Sequence, residues 1–308
     1  MKKRIFITGA RGFIGKNIVE YLSGKDSYIL FFPYHNELEL LDTEAVSDFI
    51  LKNKIDIIIH AASVGGTRKT AYDSGKTDIV SRNLRMFFNL SKHIDSVEKF
   101  ILLGSGAEYS IKHYQPKMKE DYFGTFIPLD DYGFSKYVCS KYIEKSNKMI
   151  NLRLFGVFGK HEDYQYRFIS NSIVKNILGL PIVINQNVFF DFLYIDDLVK
   201  IVEYFINNNA RHKFYNACTG SSIDLKTIAG KINEISGRPS DIIVNNPGLN
   251  VEYSGDNARL LTELKGYNFT PLEDALKELY GWYKDNLDKI DKKAIEKDEY
   301  IKYCRVKK

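Results

Sequence analysis

The chain has 308 residues, 44% of them hydrophobic and 27% charged, with a formal net charge of +5 and a pI near 8.8. That length can bury a large core, and the composition excludes disordered, fibrous and disulfide-stapled classes. The mild basicity suits anionic small ligands such as dinucleotides or sugar nucleotides, while the lack of a clustered basic stripe argues against nucleic acid as a partner.

The chain opens with a short apolar run, Ile5-Phe6-Ile7, followed by Thr8-Gly9-Ala10-Arg11-Gly12-Phe13-Ile14-Gly15. The run suits a strand covered on both faces. Gly9 permits a sharp turn, Gly12 removes a side chain where a phosphate would approach, and Gly15 lets a helix close on the strand. Ile14, Ile18, Val19 and Leu22 share one helical face that stops at Gly24. A helix N-terminus placed there suits a pyrophosphate.

Further strands are expected at 27–32, 38–41, 55–60, 100–103 and 149–154, with helices at 43–52, 76–93 and 131–146 and Asp42 capping the first of these helices. Strands alternating with helices imply an α/β fold, a doubly wound parallel Rossmann sheet. Beyond Gly159 the pattern loosens: helices at 168–178, 225–235 and 272–286, strands at 181–184, 189–194 and 242–244, and a helix to Ile206 capped by Asp196. This division predicts a dinucleotide-binding unit of residues 1–157 plus 188–218, and a smaller C-terminal substrate-binding unit of 158–187 and 219–286. Residues 287–308 form a charged tail, expected to be a solvated helix or a frayed end. Cys139, Cys218 and Cys304 are few and far apart, which points to a reducing compartment. No apolar run approaches about 18 residues, so no membrane partner is expected and the location expected is cytoplasmic.

Two stretches carry chemistry. Ser105 ends the 100–103 strand, and Tyr132 and Lys136 lie four apart on the following helix, hence on one face. An ammonium beside a phenol favours the phenolate and makes the tyrosine a usable acid or base near neutral pH. With 21 tyrosines such a spacing is cheap on its own; its order after the glycine turn and the strand-end serine gives it weight. His60 reads as a satisfied edge histidine, Arg153 as a packing and hydrogen-bonding residue, and Cys139 as core or interface. His161, Glu162 and Asp163 read as a polar loop with too few convergent ligands for a metal.

These stretches, with His60-Ala61-Ala62-Ser63, Asn83, Arg153-Leu154-Phe155-Gly156-Val157-Phe158-Gly159 and Asp191-Phe192-Leu193-Tyr194-Ile195-Asp196-Asp197, resemble the extended short-chain dehydrogenase/reductases of the sugar-nucleotide epimerase, dehydratase and reductase group, over residues 3–286. The residues at 36–42 and 61–66 look closest to the GDP-fucose synthase type of 4-ketoreductase. The resemblance implies Ser105, Tyr132 and Lys136 as catalytic residues. Cofactor contacts would come from Gly9, Arg11, Gly12, Phe13, Ile14, Gly15, His35, Leu41, Asp42, Ala61, Ala62, Ser63 and Lys136, with Leu41 and Asp42 near the adenine and Lys136 on the nicotinamide ribose. It also implies a homodimer through the 76–93 and 131–146 helices.

Three departures narrow the reaction. Gly106 and Ala107 stand where dehydratases of the group carry an acidic pair, and Glu108, one position off, would face the other way on an extended chain. Ala107 also replaces the cysteine used for epimerisation in the GDP-fucose synthase type, and Arg167-Phe168-Ile169-Ser170 lacks its histidine partner. Gly156 and Phe190 replace an asparagine and an arginine that serve the substrate end.

The cofactor follows from charge. Residues 32–36 offer no carboxylate for a ribose 2′-hydroxyl, whereas the Arg11 guanidinium, assisted by His35, suits a 2′-phosphate. NADP(H) is therefore favoured, with NAD(H) possible. The reading is an NADPH-dependent reduction of the 4-keto group of a nucleoside-diphosphate-linked 4-keto(-6-deoxy) sugar, for surface glycans. The alternatives are an NAD-dependent sugar-nucleotide 4-epimerase and a non-catalytic NADP(H) sensor. Specificity is assigned to loops at 64–75, 106–130, 158–170 and 180–190.

Overall fold

The fold is that of a computed structural model, which describes residues 1–66, 78–302, 304 and 306–307. Residues 67–75 of the first specificity loop and the first two residues of the expected 76–93 helix lie outside that set.

Six parallel strands form the central sheet. They are β1 (Lys3–Thr8), β2 (Tyr28–Phe31), β3 (Ile57–His60), β4 (Lys99–Ser105), β5 (Met149–Leu154) and, out of sequence, β9 (Phe214–Ala217). Their order is β2-β1-β3-β4-β5-β9, with Ile5 opposite both Leu30 and Ile57, and Ser105 opposite Leu154. The chain leaves β1 towards one edge and returns to build the other, so the carboxyl ends of β1 and β3 flank a topological switch point, where open α/β sheets bind ligands.

Side-chain alternation explains why the sheet is doubly covered. Ile5, Ile7, Ile57, Ile59, Ile101 and Leu103 pack on one side, and Phe6, Ile58, Phe100 and Leu102 on the other. Neither face meets water, which is what the continuous apolar runs required. The first side is covered by helices α1 (Phe13–Ser23) and α6 (Ile195–Asn207). The second is covered by α2 (Thr43–Lys52), α3 (Ile79–Ser91) and α4 (Asp131–Ile143). Asp42 caps α2 by accepting the amides of Glu44 and Ala45, both at 3.0 Å.

Two smaller sheets stand over the carboxyl edge. Strand β8 (Phe189–Tyr194) pairs in parallel with β6 (Gly156–Phe158) and antiparallel with β10 (Ser222–Asp224). Strand β7 (Ile182–Asn187) pairs in parallel with β11 (Ile242–Leu249) and packs with α5 (Phe168–Ile177) and α7 (Leu225–Ser236), on both of which α9 (Leu272–Asp285) rests. A short helix, α8 (Ala258–Glu263), lies beside β9.

Four expectations need correction. Residues 38–41 are a turn, not a strand: Leu38 is buried, but the Leu40 carbonyl accepts the Asn89 side-chain amide and the Leu41 carbonyl faces Arg85, so no ladder forms. Asp196 does not cap α6; it lies in the first turn behind an uncapped Tyr194. Strand β9 was not anticipated, because a four-residue run interrupted by Asn216 carries almost no periodic signal. The described part of the tail is helical in places, as the sequence allowed, but is docked on the body of the protein rather than solvated. Ile290 and Ile295 are buried, Lys175 pairs with Asp298 at 2.6 Å, and Gln186 exchanges two hydrogen bonds with the Lys307 backbone. Two apolar side chains at the right places outweigh the charge of the segment. Among the described residues no helix is long and apolar enough to cross a membrane.

Candidate active site

The site begins where β1 ends. Gly9 takes φ +72°, and a Cβ on it would stand 2.7 Å from the Ala62 amide nitrogen, so the turn rests directly on the end of β3. A Cβ on Gly15 would collide with the Gly9 carbonyl, which presses α1 onto the same turn. Gly12, exposed, is the N-cap of α1 and supplies no side-chain acceptor, so the first-turn amides from Phe13 onward keep their donors for a ligand. The cradle fits a pyrophosphate at a helix N-terminus. Arg11 is exposed, with its guanidinium 4.0 Å above the ring of Tyr34, in the loop after β2.

Some expected cofactor contacts are engaged elsewhere. His35 Nδ1 lies 3.2 Å from Glu39 Oε2. Residues 32–36 carry no carboxylate; the Glu37 side chain, just beyond them, turns back to accept the Tyr34 amide at 2.7 Å. Leu41 and Ala61 are partly exposed and Ser63 is exposed; the Ala62 amide donates to Thr8 Oγ1 at 3.1 Å. Thr8 Oγ1 in turn meets His60 Nδ1 at 2.8 Å. Burial, and then the Lys136 charge, push the His60 imidazole down to about 3, so the ring is neutral.

Ser105, at the end of β4, begins a 3-10 turn, Gly106–Tyr109, and its Oγ accepts the Ala107 amide at 3.1 Å. The same hydroxyl also hydrogen-bonds the Tyr253 phenol. Helix α4 starts with the Asp130 carboxylate accepting the Gly133 amide at 2.8 Å. A Cβ on Gly133 would lie 2.8 Å from the Ala107 carbonyl, so the bare glycine lets the helix start abut the serine turn. That contact brings Tyr132 and Ser105 to one cleft. Lys136 is buried, donates to the Leu103 carbonyl at 3.1 Å, and holds its ammonium 5.8 Å from the centre of the Tyr132 ring. The helical spacing of four thus delivers both side chains to one place.

The segment 64–66 crosses over Tyr132. A Cβ on Gly66 would stand 2.7 Å from the phenol ring carbon Cζ. Asn83 fixes the segment, accepting the Val64 amide at 2.8 Å and donating to the Val64 carbonyl and to Ser135. Arg167 donates to the Gly66 carbonyl at 3.1 Å.

Glu108 is not on an extended chain. The 3-10 turn swings it into the interior, where its carboxylate pairs with Arg153 Nε at 2.8 Å and accepts from Ser140, Asn151 and the Ser105 amide. The reading of Arg153 as a packing and hydrogen-bonding residue agrees with this, and Cys139 is core.

On the far side of Ser105 stands an aromatic wall that the sequence did not reveal. Tyr253 stacks near Tyr114, Phe155 and Phe190, with ring centres 4.9, 5.1 and 5.7 Å away. These residues come from four separate parts of the chain, so no spacing rule joins them. Gly156 has no room for the expected asparagine, because a Cβ there would lie 2.6 Å from the Asp191 carbonyl.

The sequence profile of the NAD dependent epimerase/dehydratase family matches residues 5–218. GDP-L-fucose synthase of Escherichia coli is 24% identical over 94% of this chain and 99% of its own length. Among solved structures, UDP-glucose 4-epimerase of Thermotoga maritima has a TM-score of 0.80 at 19% identity, covering 92% of this chain and 99% of its own. GDP-mannoheptose C4 reductase of Campylobacter jejuni, solved with NADP bound, has a TM-score of 0.78 at 20% identity, covering 92% and 98%. The profile spans more than half the chain, and with it the glycine turn, the strand-end serine and the tyrosine–lysine helix: the chain belongs to the NAD dependent epimerase/dehydratase family.

Proposed function

We propose that this chain reduces the 4-keto group of a nucleoside-diphosphate-linked 4-keto(-6-deoxy) sugar at the expense of NADPH, in the making of deoxysugars for surface glycans. The observation that carries the reading is the state of Glu108. It is the one acid between Ser105 and Tyr109, and its carboxylate is consumed by Arg153, Ser140 and Asn151. Elimination of water or removal of a carbon-bound proton needs an acid or base beside the sugar; Gly106 and Ala107 supply neither. A ketone reduction needs only a proton donor for the forming alkoxide.

Tyr132 would give that proton. Lys136, pinned to the Leu103 carbonyl, would support the resulting phenolate and hold the nicotinamide ribose. Ser105, its oxygen occupied by the Ala107 amide, would donate to the substrate oxygen and orient it. The glycine turn and α1 would hold the pyrophosphate, and the bound nicotinamide would supply the hydride. The match to E. coli GDP-L-fucose synthase along nearly the whole of both chains supports a nucleotide-sugar substrate. The structural likenesses extend to epimerase and reductase alike and do not choose between them.

Arg11, held against Tyr34, supports NADP(H). A second reading, an epimerase that retains NAD, draws on Glu37, whose carboxylate accepts the Tyr34 amide in the loop after β2. Helices α3 and α4 pack together and leave Tyr142 exposed beside Phe88, which supports pairing of two copies there. The reading is tested by supplying purified protein with NADPH and a panel of 4-keto sugar nucleotides. Oxidation of NADPH by one of them is expected; tightly bound NAD⁺ with interconversion of UDP-sugars and no net oxidation would favour the epimerase.

A further inference from the structure

Tyr253 lies 121 residues beyond Tyr132, outside the stretches that carry the family resemblance, yet it enters the same cleft. Its backbone is fixed at both ends: its amide donates to the Phe189 carbonyl at 2.9 Å, and its carbonyl accepts the Asp191 amide at 3.0 Å. Its ring is braced by Tyr114, Phe155 and Phe190. The hydroxyl therefore cannot wander, and it projects at the residue following Ser105: a Cβ on Gly106 would lie 2.8 Å from it. Phe155 would be 2.9 Å from the same Cβ. The neighbouring phenol, Tyr114, donates to the Gly106 carbonyl, and it and Ser105 both hydrogen-bond the oxygen of Tyr253, whose own hydrogen can still turn to the cleft. Tyr253 is partly exposed, so the cleft reaches it.

We propose that Tyr253 is a substrate-contacting residue, whose phenol donates a hydrogen bond to an oxygen of the sugar ring adjoining the carbonyl that Ser105 and Tyr132 hold. Gly106 is the matching half of the device, because any side chain there would occupy the path between this phenol and the serine. Burial pushes the Tyr253 phenol up to about 12, so it remains a donor throughout the neutral range and does not act as a base. The side of the site that lacks a carboxylate is thus not vacant; it holds a neutral donor suited to binding a polyhydroxylated ring without removing protons from it. This assignment deepens the reductase reading and rests on it.

The test is Tyr253→Phe, which keeps the ring packing and removes only the hydroxyl. With wild-type turnover established on a 4-keto sugar nucleotide, KM should rise about tenfold, the loss of one hydrogen bond of ~1.4 kcal/mol, with kcat within about threefold and NADPH affinity unchanged. An unchanged KM would overturn the proposal, as would an equal loss of NADPH affinity, which would mark a merely structural role. Gly106→Ala should weaken sugar binding in the same direction while the melting temperature stays above the assay temperature. If the wild type reduces none of the panel, the reductase reading fails by itself. Tyr253 is then judged by calorimetric binding of GDP-mannose and UDP-glucose in the presence of NADP⁺. Weaker binding by Tyr253→Phe would sustain the contact, and equal binding, or no binding to the wild type, would overturn it.

Discussion

Glu108 Oε2 lies 2.8 Å from Arg153 Nε, and both side chains are wholly excluded from solvent. The guanidinium is sandwiched among Tyr109, Phe123 and Phe214, at 5.0, 4.2 and 4.5 Å from their ring centres. Through its other oxygen Glu108 accepts the Ser105 amide at 3.1 Å, so the pair anchors the serine turn. Removing one member leaves the other charge buried and unpaired, which costs far more than the pair is worth against apolar replacements. Glu108→Ala should therefore destabilise the fold by about 3–5 kcal/mol in urea unfolding, with Glu108→Gln costing less. A Glu108→Gln protein of full stability and no activity would instead mark Glu108 as a proton donor.

Tyr132 faces the cleft beneath the 64–66 segment, with the Lys136 ammonium 5.8 Å from its ring. Tyr132→Phe should lower kcat by about 10²–10⁴, the range of a lost general acid, while NADPH affinity persists. Comparable turnover by the variant, measured by loss of NADPH absorbance, would remove the tyrosine from the mechanism.

Arg11 holds its guanidinium over the ring of Tyr34, in the loop after β2. A charged hydrogen bond to a 2′-phosphate is worth about 1.5–3 kcal/mol, so Arg11→Ala should weaken NADPH binding by roughly 10–100-fold and leave NADH nearly unaffected. Equal losses for both cofactors, read by fluorescence titration, would leave the field to the carboxylate of Glu37.

His60 is buried and held neutral, its folded pKa near 3 against an ordinary value of 6.5. Between these values the unfolded chain binds the extra proton and the folded chain does not, so the stability His60 contributes is whole above pH 6.5 and declines as pH falls through this window. At pH 5 the loss is ~2 kcal/mol. Urea midpoints of the wild type should fall more steeply from pH 7 to 5 than those of His60→Gln, and parallel declines would contradict the assignment.

What the sequence disclosed follows physical locality. The glycine turn, the capping Asp42 and the Tyr132–Lys136 pair depend on contacts within a few residues, and each lies where spacing placed it. The 100–103 and 149–154 strands were legible because both sheet faces are apolar. The failures share the opposite property. Glu108 was misjudged because a single 3-10 turn redirects a side chain that alternation on a strand would have sent elsewhere. Residues 38–41 carry an apolar pattern, but their backbone partners are the side chains of Asn89 and Arg85. Ile290 and Ile295 dock a tail whose charges suggested solvent. Tyr253 meets Gly106 across a sequence separation of 147, a contact that only the tertiary fold creates.

The central claim is a one-way hydride transfer to a sugar carbonyl without proton exchange at neighbouring carbons. It is tested most directly by running the reaction with 4-deuterated NADPH in ordinary water, and with ordinary NADPH in deuterium oxide, and locating deuterium in the product by NMR. The account predicts one deuterium on the former carbonyl carbon in the first case and no carbon-bound deuterium in the second. Deuterium at a carbon flanking the carbonyl in the second case, or sugar interconversion with no label gained from the nicotinamide, would contradict it.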